Sequence, residues 1–370
     1  MSRARRRTRA LAGAAACILL LSACSPTYVL RAGYEEAKIL WRREPIARVL
    51  GRNDLDAATR TKLELALAVR TFARDTLALR ADVSFATYVE VDAAATVHVV
   101  TAAYRLRLEP YTWWFPIVGR VPYKGFFSQA AADAEAAQLE RDGYDSEVQP
   151  SVAFSTLGWF ADPLVSTVLR YDRTTLANVI IHELLHNTTY LAGHAEFDES
   201  FANFVGHRGA IQFFSGTGDA PAVERATAVW EDALRFSDFL GRLATQLRQA
   251  YAGGATLADR QRLFDAAQAE CRALPLRTGM YRDFGTQRLN NAVILHELMY
   301  TDRLQLFEDL WRQCGGDLRR TIAAVIAAVH GGSGDPFAAV QGQLAPPPTL
   351  APEAQPARAG PAYGSMVASR

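Results

Sequence analysis

This sequence has almost no net charge. Forty basic side chains stand against 39 acidic ones, a formal +1 over 370 residues, so no global field marks the chain as a partner of nucleic acid. It has no self-similarity at solenoid or propeller periods. Past the first two dozen residues no apolar run is long enough to cross a bilayer. Cysteine is down to four and histidine to seven. The rest suits a large core. Hydrophobic residues make up 49% of the chain and aromatics 10%, which argues against disorder over most of the length and fits one big domain or two small ones.

The first ten residues, MSRARRRTRA, are a basic n-region, followed by the short apolar run LAGAAACILLL. The run is too short to span comfortably and reads as a targeting segment over residues 1–23. It ends in Leu21-Ser22-Ala23-Cys24. This resembles a bacterial lipoprotein signal, in which the cysteine is lipidated and becomes the first residue; the alternative is an ordinary cleavable signal and a chance cysteine. Ser25, in place of an acidic residue after Cys24, favours the outer over the inner membrane. The acyl chains would anchor the protein without a spanning helix. After processing, Cys271 and Cys314 remain. In an oxidising periplasm they are either bridged or two buried thiols, and spacing alone does not decide which.

Residues 28–48 read as a helix interrupted near Pro45, and 55–80 carry apolar residues at helical spacing. The β-branched, aromatic stretch from Val83 to Phe127 reads as strands punctuated by Pro and Gly. Ser128 is placed to cap a helix running to Arg141, with Gly143 after it. Residues 152–160 are another strand candidate. From Thr174 to about His330 the pattern is mostly helical, and residues 336–370 form a Pro- and Ala-rich tail expected to be disordered. The fold class is therefore α+β, mostly helical with a small sheet, with one domain over residues 24–335.

The chemistry concentrates in residues 179–206, VIIHELLHNTTYLAGHAEFDESFANFVG. Asp172, Thr174 or Thr175 can cap a helix through this segment. On it His182 and His186 lie four apart and point the same way, so both imidazoles can reach one Zn²⁺. Glu183 flanks the metal and is placed to take a proton from water and return it to a departing amine. The spacing is fairly specific, and on an apolar helix two unpaired His and a Glu would be costly without a metal or partners. The alternative is a plain packing helix. His194, Glu196 or Glu199 could close the site. Gly193-His194 misses the offsets of the metzincin arrangement.

The segment FDESFANFVG resembles the Asn-Glu-x-Phe-Ala segment of gluzincin aminopeptidases. That implies Glu199 as the third ligand, with Asp198 in the place of the Asn and Glu196 as fallback. Asp198 is also placed to cap the second helix, and Asn203 to support Glu199. Between His186 and Glu199 lie only residues 187–198, a shorter spacer than in well-known gluzincins. A wider resemblance extends over REPIARVL, VSFATYVEV, FPIVGRVPYKGFF, STLGWFADPLVST, HELLHNTTY and LNNAVILHELMY, most of residues 28–312. These segments look like a family of bacterial predicted aminopeptidases, most of them lipoproteins. The resemblance implies a thermolysin-like zinc peptidase acting on peptides: zinc on His182, His186 and Glu199, Glu183 as base, STLGWF as an edge strand with Trp159 or Phe160 at a side-chain pocket, and Tyr300 as oxyanion donor with Tyr190 a weaker competitor. Glu196 or Asp198 would be guesses for the substrate's amine. His296-Glu297 lacks a second His and is not read as a metal site. An envelope endopeptidase with the same core, or a zinc-binding lipoprotein scaffold without activity, are the rivals; an intact Glu183 speaks against the scaffold.

Overall fold

The computed structural model describes residues 40–91, 97–115, 119–151, 163–332 and 334–344. Proline sets the first element. Pro45 has no amide hydrogen to donate, and it ends the two-residue strand β1 (Glu44–Pro45) before the short helix α1 (Ile46–Leu50). The part of the expected first helix before residue 40 lies outside the described residues, as do Cys24 and the targeting segment. The expected second helix is α2 (Ala57–Asp75). Asp56 caps it by accepting from the Thr59 amide, and Leu63, Ala66, Val69 and Ala73 line its buried side at 3–4 spacing.

The β-branched stretch forms β2 (Thr87–Val89), β3 (Val97–Tyr104), β4 (Trp113–Phe115), β5 (Gly119–Val121) and β6 (Tyr123–Phe126). Helix α3 (Gln129–Arg141) follows Ser128, which marks the start without a side-chain cap bond. Gly143, at φ +90°, turns the chain into β7 (Tyr144–Ser151). β3 is the centre of an antiparallel sheet, β6-β3-β7, with His98 opposite both Phe126 and Pro150. A second small sheet joins β1, β2 and β8 (Leu164–Val165), the last parallel to β2, and β4 and β5 pair as a hairpin. The strand expected over 152–160, with Trp159 and Phe160, lies outside the described residues.

Helices make the rest: α4 (Arg173–Thr188), α5 (Ala195–Thr217), α6 (Ala220–Ala252), α7 (Leu257–Ala273), α8 (Asn291–Thr301), α9 (Leu304–Gln313), α10 (Leu318–Gly331) and α11 (Pro336–Gln341). The fold is thus mostly helical with small sheets, an α+β architecture. Among the described residues no helix is long and apolar enough to cross a membrane. α5 is apolar nearly all round and runs through the core; Phe197, Phe201 and Phe204 pack on Phe307 of α9, and Phe197 also meets Phe337 of α11.

One expectation is corrected here, and one alternative left open is decided. The tail does not begin at residue 336. Asp335 and Pro336 start α11, which buries Phe337 and Val340 in the main core, so the folded part extends to at least residue 344. Nor are Cys271 and Cys314 bridged. Both thiols are free; Cys271 is buried among the α6–α7–α8 side chains and Cys314 packs on the separate core around α5.

α4 and α5 are antiparallel neighbours: His182 meets Glu199, and one turn earlier on α4 Asn178 meets His207 further along α5. Two glycines permit the approach. A Cβ at Gly206 would stand 2.1 Å from Asn178 Oδ1 and 2.9 Å from its carbonyl oxygen, and one at Gly209 would stand 2.9 Å from Ile181 Cδ1. Because the obstruction at 206 includes backbone, Gly206→Ala must push the helices apart. It is expected to lower stability by about 1–3 kcal/mol, read as a fall in the thermal midpoint by circular dichroism, whereas Gly216→Ala, which meets nothing within 4 Å, leaves the midpoint unchanged or raises it.

Candidate metal centre

Asp172 starts α4. Its carboxylate accepts from the amides of Thr174 and Thr175 and from both their hydroxyls, and Arg225 donates to it as well. Partial burial disfavours its charge, yet these donors hold its carboxyl well below the usual range. Two and a half turns later the helix delivers His182 and His186. It ends at Thr188, whose hydroxyl donates back to the Leu184 carbonyl at 2.8 Å, and Thr189 is already extended.

The short spacer is closed by one carboxylate. Both oxygens of Asp198 accept from the Leu191 amide, at 3.0 and 3.1 Å, while Gly193 takes φ +89° and the His194 amide donates to the Leu191 carbonyl. α5 therefore begins at Ala195, with His194 as its N-cap residue, making no side-chain cap bond. Asp198, expected as the cap, sits inside the first turn and reaches back across the loop. Burial pushes its carboxyl up to about 7 despite the Leu191 amide. Glu199, the next residue, faces α4.

There the ligand atoms converge. His182 Nε2 lies 3.1 Å from His186 Nε2 and 3.1 Å from Glu199 Oε2, and His186 Nε2 lies 3.6 Å from the same oxygen. Among the described residues these three form the one group of His, Cys, Asp or Glu able to hold a metal ion. A tetrahedral ion with arms of roughly 2.0–2.1 Å holds its ligand atoms about 3.3 Å apart, close to the distances found. Burial alone would favour neutral His186, but the Glu199 carboxylate overrides it and pushes the imidazole up to about 9. Glu199 is held well below the usual carboxylate range, the two imidazoles outweighing its burial. The three expected ligands are thus brought together. His194 and Glu196 are not among them; Glu196 is exposed at the residue level, with burial of its carboxyl and Asp302 raising its pKa.

α8 forms the facing wall, pinned at both ends. At its start Asn290 donates to the Ser146 carbonyl, the Asn291 amide donates to Asp145, and the Asn291 side chain donates to the Tyr104 carbonyl. At its end the carbonyls of Met299, Tyr300 and Thr301 accept from Ser200, Asn203 and Ser237. Asn203 is therefore spent on holding α8, not on supporting Glu199. Tyr300 is placed by this framework. The residue is partly exposed, but desolvation of its hydroxyl, then the field of Glu199, Tyr123 and Glu183, raise its pKa well above normal. Tyr190 feels Asp198 and Glu199 after burial, and is more exposed.

Sequence reasoning missed Tyr123, at the start of β6. Burial first and Glu199 second push its hydroxyl up, which places it beside the centre. The signal was its place in VPYKGFF, a segment noticed without a role. His296, on α8, stacks edge-on with Tyr300 at 5.6 Å; burial lowers its pKa while Glu199 opposes.

The geometry brings three side chains able to hold a metal ion together on two helices, with Glu183 next to the first of them along α4. The family described as "Putative aminopeptidase" matches residues 27–331, and the chain belongs to that family. No curated protein and no solved structure matches it.

If the three-ligand reading is right, the protein binds one Zn²⁺ per chain and gains thermal stability on loading. His186→Ala and Glu199→Ala each weaken zinc binding by roughly 100-fold or more, while Glu196→Ala leaves it unchanged. Metal content after dialysis and zinc titration by calorimetry check this; zinc retained by Glu199→Ala with wild-type affinity would remove the third ligand.

Proposed function

We propose that the chain is a zinc-dependent aminopeptidase of gluzincin type, anchored by lipid to the cell envelope and facing the periplasm. The observation that carries the reading is the convergence of His182, His186 and Glu199 at 3.1–3.6 Å with Glu183 next to the first ligand on the same helix. The donor set fits the metal: two imidazole nitrogens and one carboxylate oxygen are a ligand set of catalytic zinc, which keeps a further position open. Zinc held there would polarise the scissile carbonyl and acidify water.

The chain's own groups do the rest. Glu183 takes a proton from the attacking water and passes it to the departing amine. The Tyr300 hydroxyl, held proton-bearing by its burial and then by the nearby carboxylates, donates a hydrogen bond to the oxygen that gains charge as the carbonyl becomes tetrahedral. Tyr123, in the same field, is placed to back it. Neither acid guessed for the substrate's amine is favoured: Asp198 is engaged with Leu191, and Glu196 lies outside the ligand cluster. The lipid anchor is supported by Leu21-Ser22-Ala23-Cys24 after a basic, then apolar, segment.

Glu183→Gln is expected to keep its zinc and lose aminoacyl-arylamide hydrolysis by at least about 100-fold. Tyr300→Phe should lower kcat by roughly 100- to 1,000-fold with little change in KM. A zinc-loaded wild type that cleaves no peptide would sink the enzyme reading, and cleavage confined to N-blocked peptides would make it an endopeptidase. In bacterial fractionation, Cys24→Ala moves the protein from the membrane to the soluble fraction; an unchanged membrane association would refute the acyl anchor.

A further inference from the structure

A cavity of about 270 Å³ opens beside the metal centre. Asn178 on its wall stands one turn before His182 on α4, and Asn203 one turn after Glu199 on α5, so it begins about one helical turn from the ligands. Tyr300 belongs to both spaces: it lines the cavity, and its hydroxyl feels Glu199 and Glu183. The charge of the lining is one-sided. No Lys or Arg lines it, and burial pushes His207 down to about 3, so that ring is neutral. The one acid on the wall is Glu297 of α8.

Among the described residues no side chain or amide donates to the Glu297 carboxylate. Desolvation first, and the charge of Glu147 on β7 second, push it up to about 7. Glu147 adds an oxygen that is buried and without a hydrogen-bond partner among the described residues. Two desolvated carboxyls thus lie within each other's field, and nothing among the described residues donates to that of Glu297, which is costly in isolation. The remaining wall includes apolar Ala210, Ala226, Val229 and Met280. At about 30 Å³ per water the space holds roughly nine waters, far more than a lone ammonium displaces. A wall that mixes these apolar side chains with hydroxyl and amide groups and carries one carboxylate matches a long aliphatic stem with a cationic head.

We propose that this cavity takes the lysine- or arginine-like side chain of the substrate residue whose carbonyl is cut, with Glu297 pairing its cationic head. This rests on the peptidase reading above and narrows its substrate class to peptides with a basic residue at that position.

Lysine and norleucine differ by the ammonium alone. Calorimetry on the zinc-loaded full chain is expected to show lysinamide binding roughly 10- to 100-fold tighter than norleucinamide, with the preference collapsing to near one in Glu297→Gln. The corresponding arylamides should show the same ratio in kcat/KM. No preference in the wild type, or one that survives Glu297→Gln, overturns the proposal. So does a loss that is equal for lysinamide and norleucinamide but absent from their N-acetyl forms; that result would give Glu297 to the α-ammonium instead. Should Glu297→Gln not fold, Val229→Lys places the chain's own ammonium in the cavity and must likewise abolish the preference; a preference left intact overturns the idea. Binding preference without hydrolysis of either arylamide would count against the peptidase reading alone.

Discussion

The close antiparallel contact of α4 with α5 is the constraint on which everything else rests. His182 and His186 stand on one of these helices and Glu199 on the other, so the separation of the helices sets the 3.1 Å spacing between His182 and Glu199. Gly206 and Gly209 remove the Cβ atoms that would hold the helices off. Around that contact the core is aromatic and apolar, with Phe201, Phe204, Trp230 and Phe307 fully buried. Such packing resists small adjustments, so the imidazoles and the carboxylate are held in place.

The third wall depends on polar groups. α8 has few choices of position because its first residues are bonded to the β3–β7 strands and its last carbonyls to α5 and α6. Each of these pairs fills a backbone group that would be costly to bury unsatisfied, about 1–3 kcal/mol apiece. Asp145 joins the same network, since Arg260 of α7 and the Asn291 amide share it. The small sheet therefore contributes no ligand, yet through α8 it fixes where Tyr300 and Glu297 stand. Glu308, buried on α9 with Arg208 and Trp230 as partners, clamps α5 from the opposite side, and removing either member of that pair would strand a charge in the core.

What the sequence disclosed about the centre was local. His182 and His186 share a face because of helical period alone, Asp172 is a cap by residue type and position, and Glu199 follows a recognisable segment. What it hid depends on contacts across long separations. Ser200 meets Met299 over 99 positions, and no periodicity announces that α8 lines the site or that a strand tyrosine, Tyr123, approaches Glu199. The role of Asp198 was misread because an acid at a helix start is ordinarily a cap; here the loop is so tight that the same carboxylate serves the Leu191 amide. The end of the fold was misplaced because Pro- and Ala-rich composition outweighed Asp335-Pro336, a helix-start signal, and the two apolar residues behind it. The free cysteines belong to different cores, a fact that spacing does not encode.

The tight loop between His186 and Glu199 has a consequence for how metal and stability are linked. His182 and Glu199 are only 17 positions apart in the chain, so an ion held between them as proposed would close a short loop and remove little entropy from the unfolded ensemble. Its grip is on one helical hairpin, not on the ends of the domain. Loss of an ion held as proposed would then loosen that hairpin as a local opening, seen as faster amide exchange in α4 and the start of α5, while the β3–β7 sheet and the α6–α7 pair keep their protection.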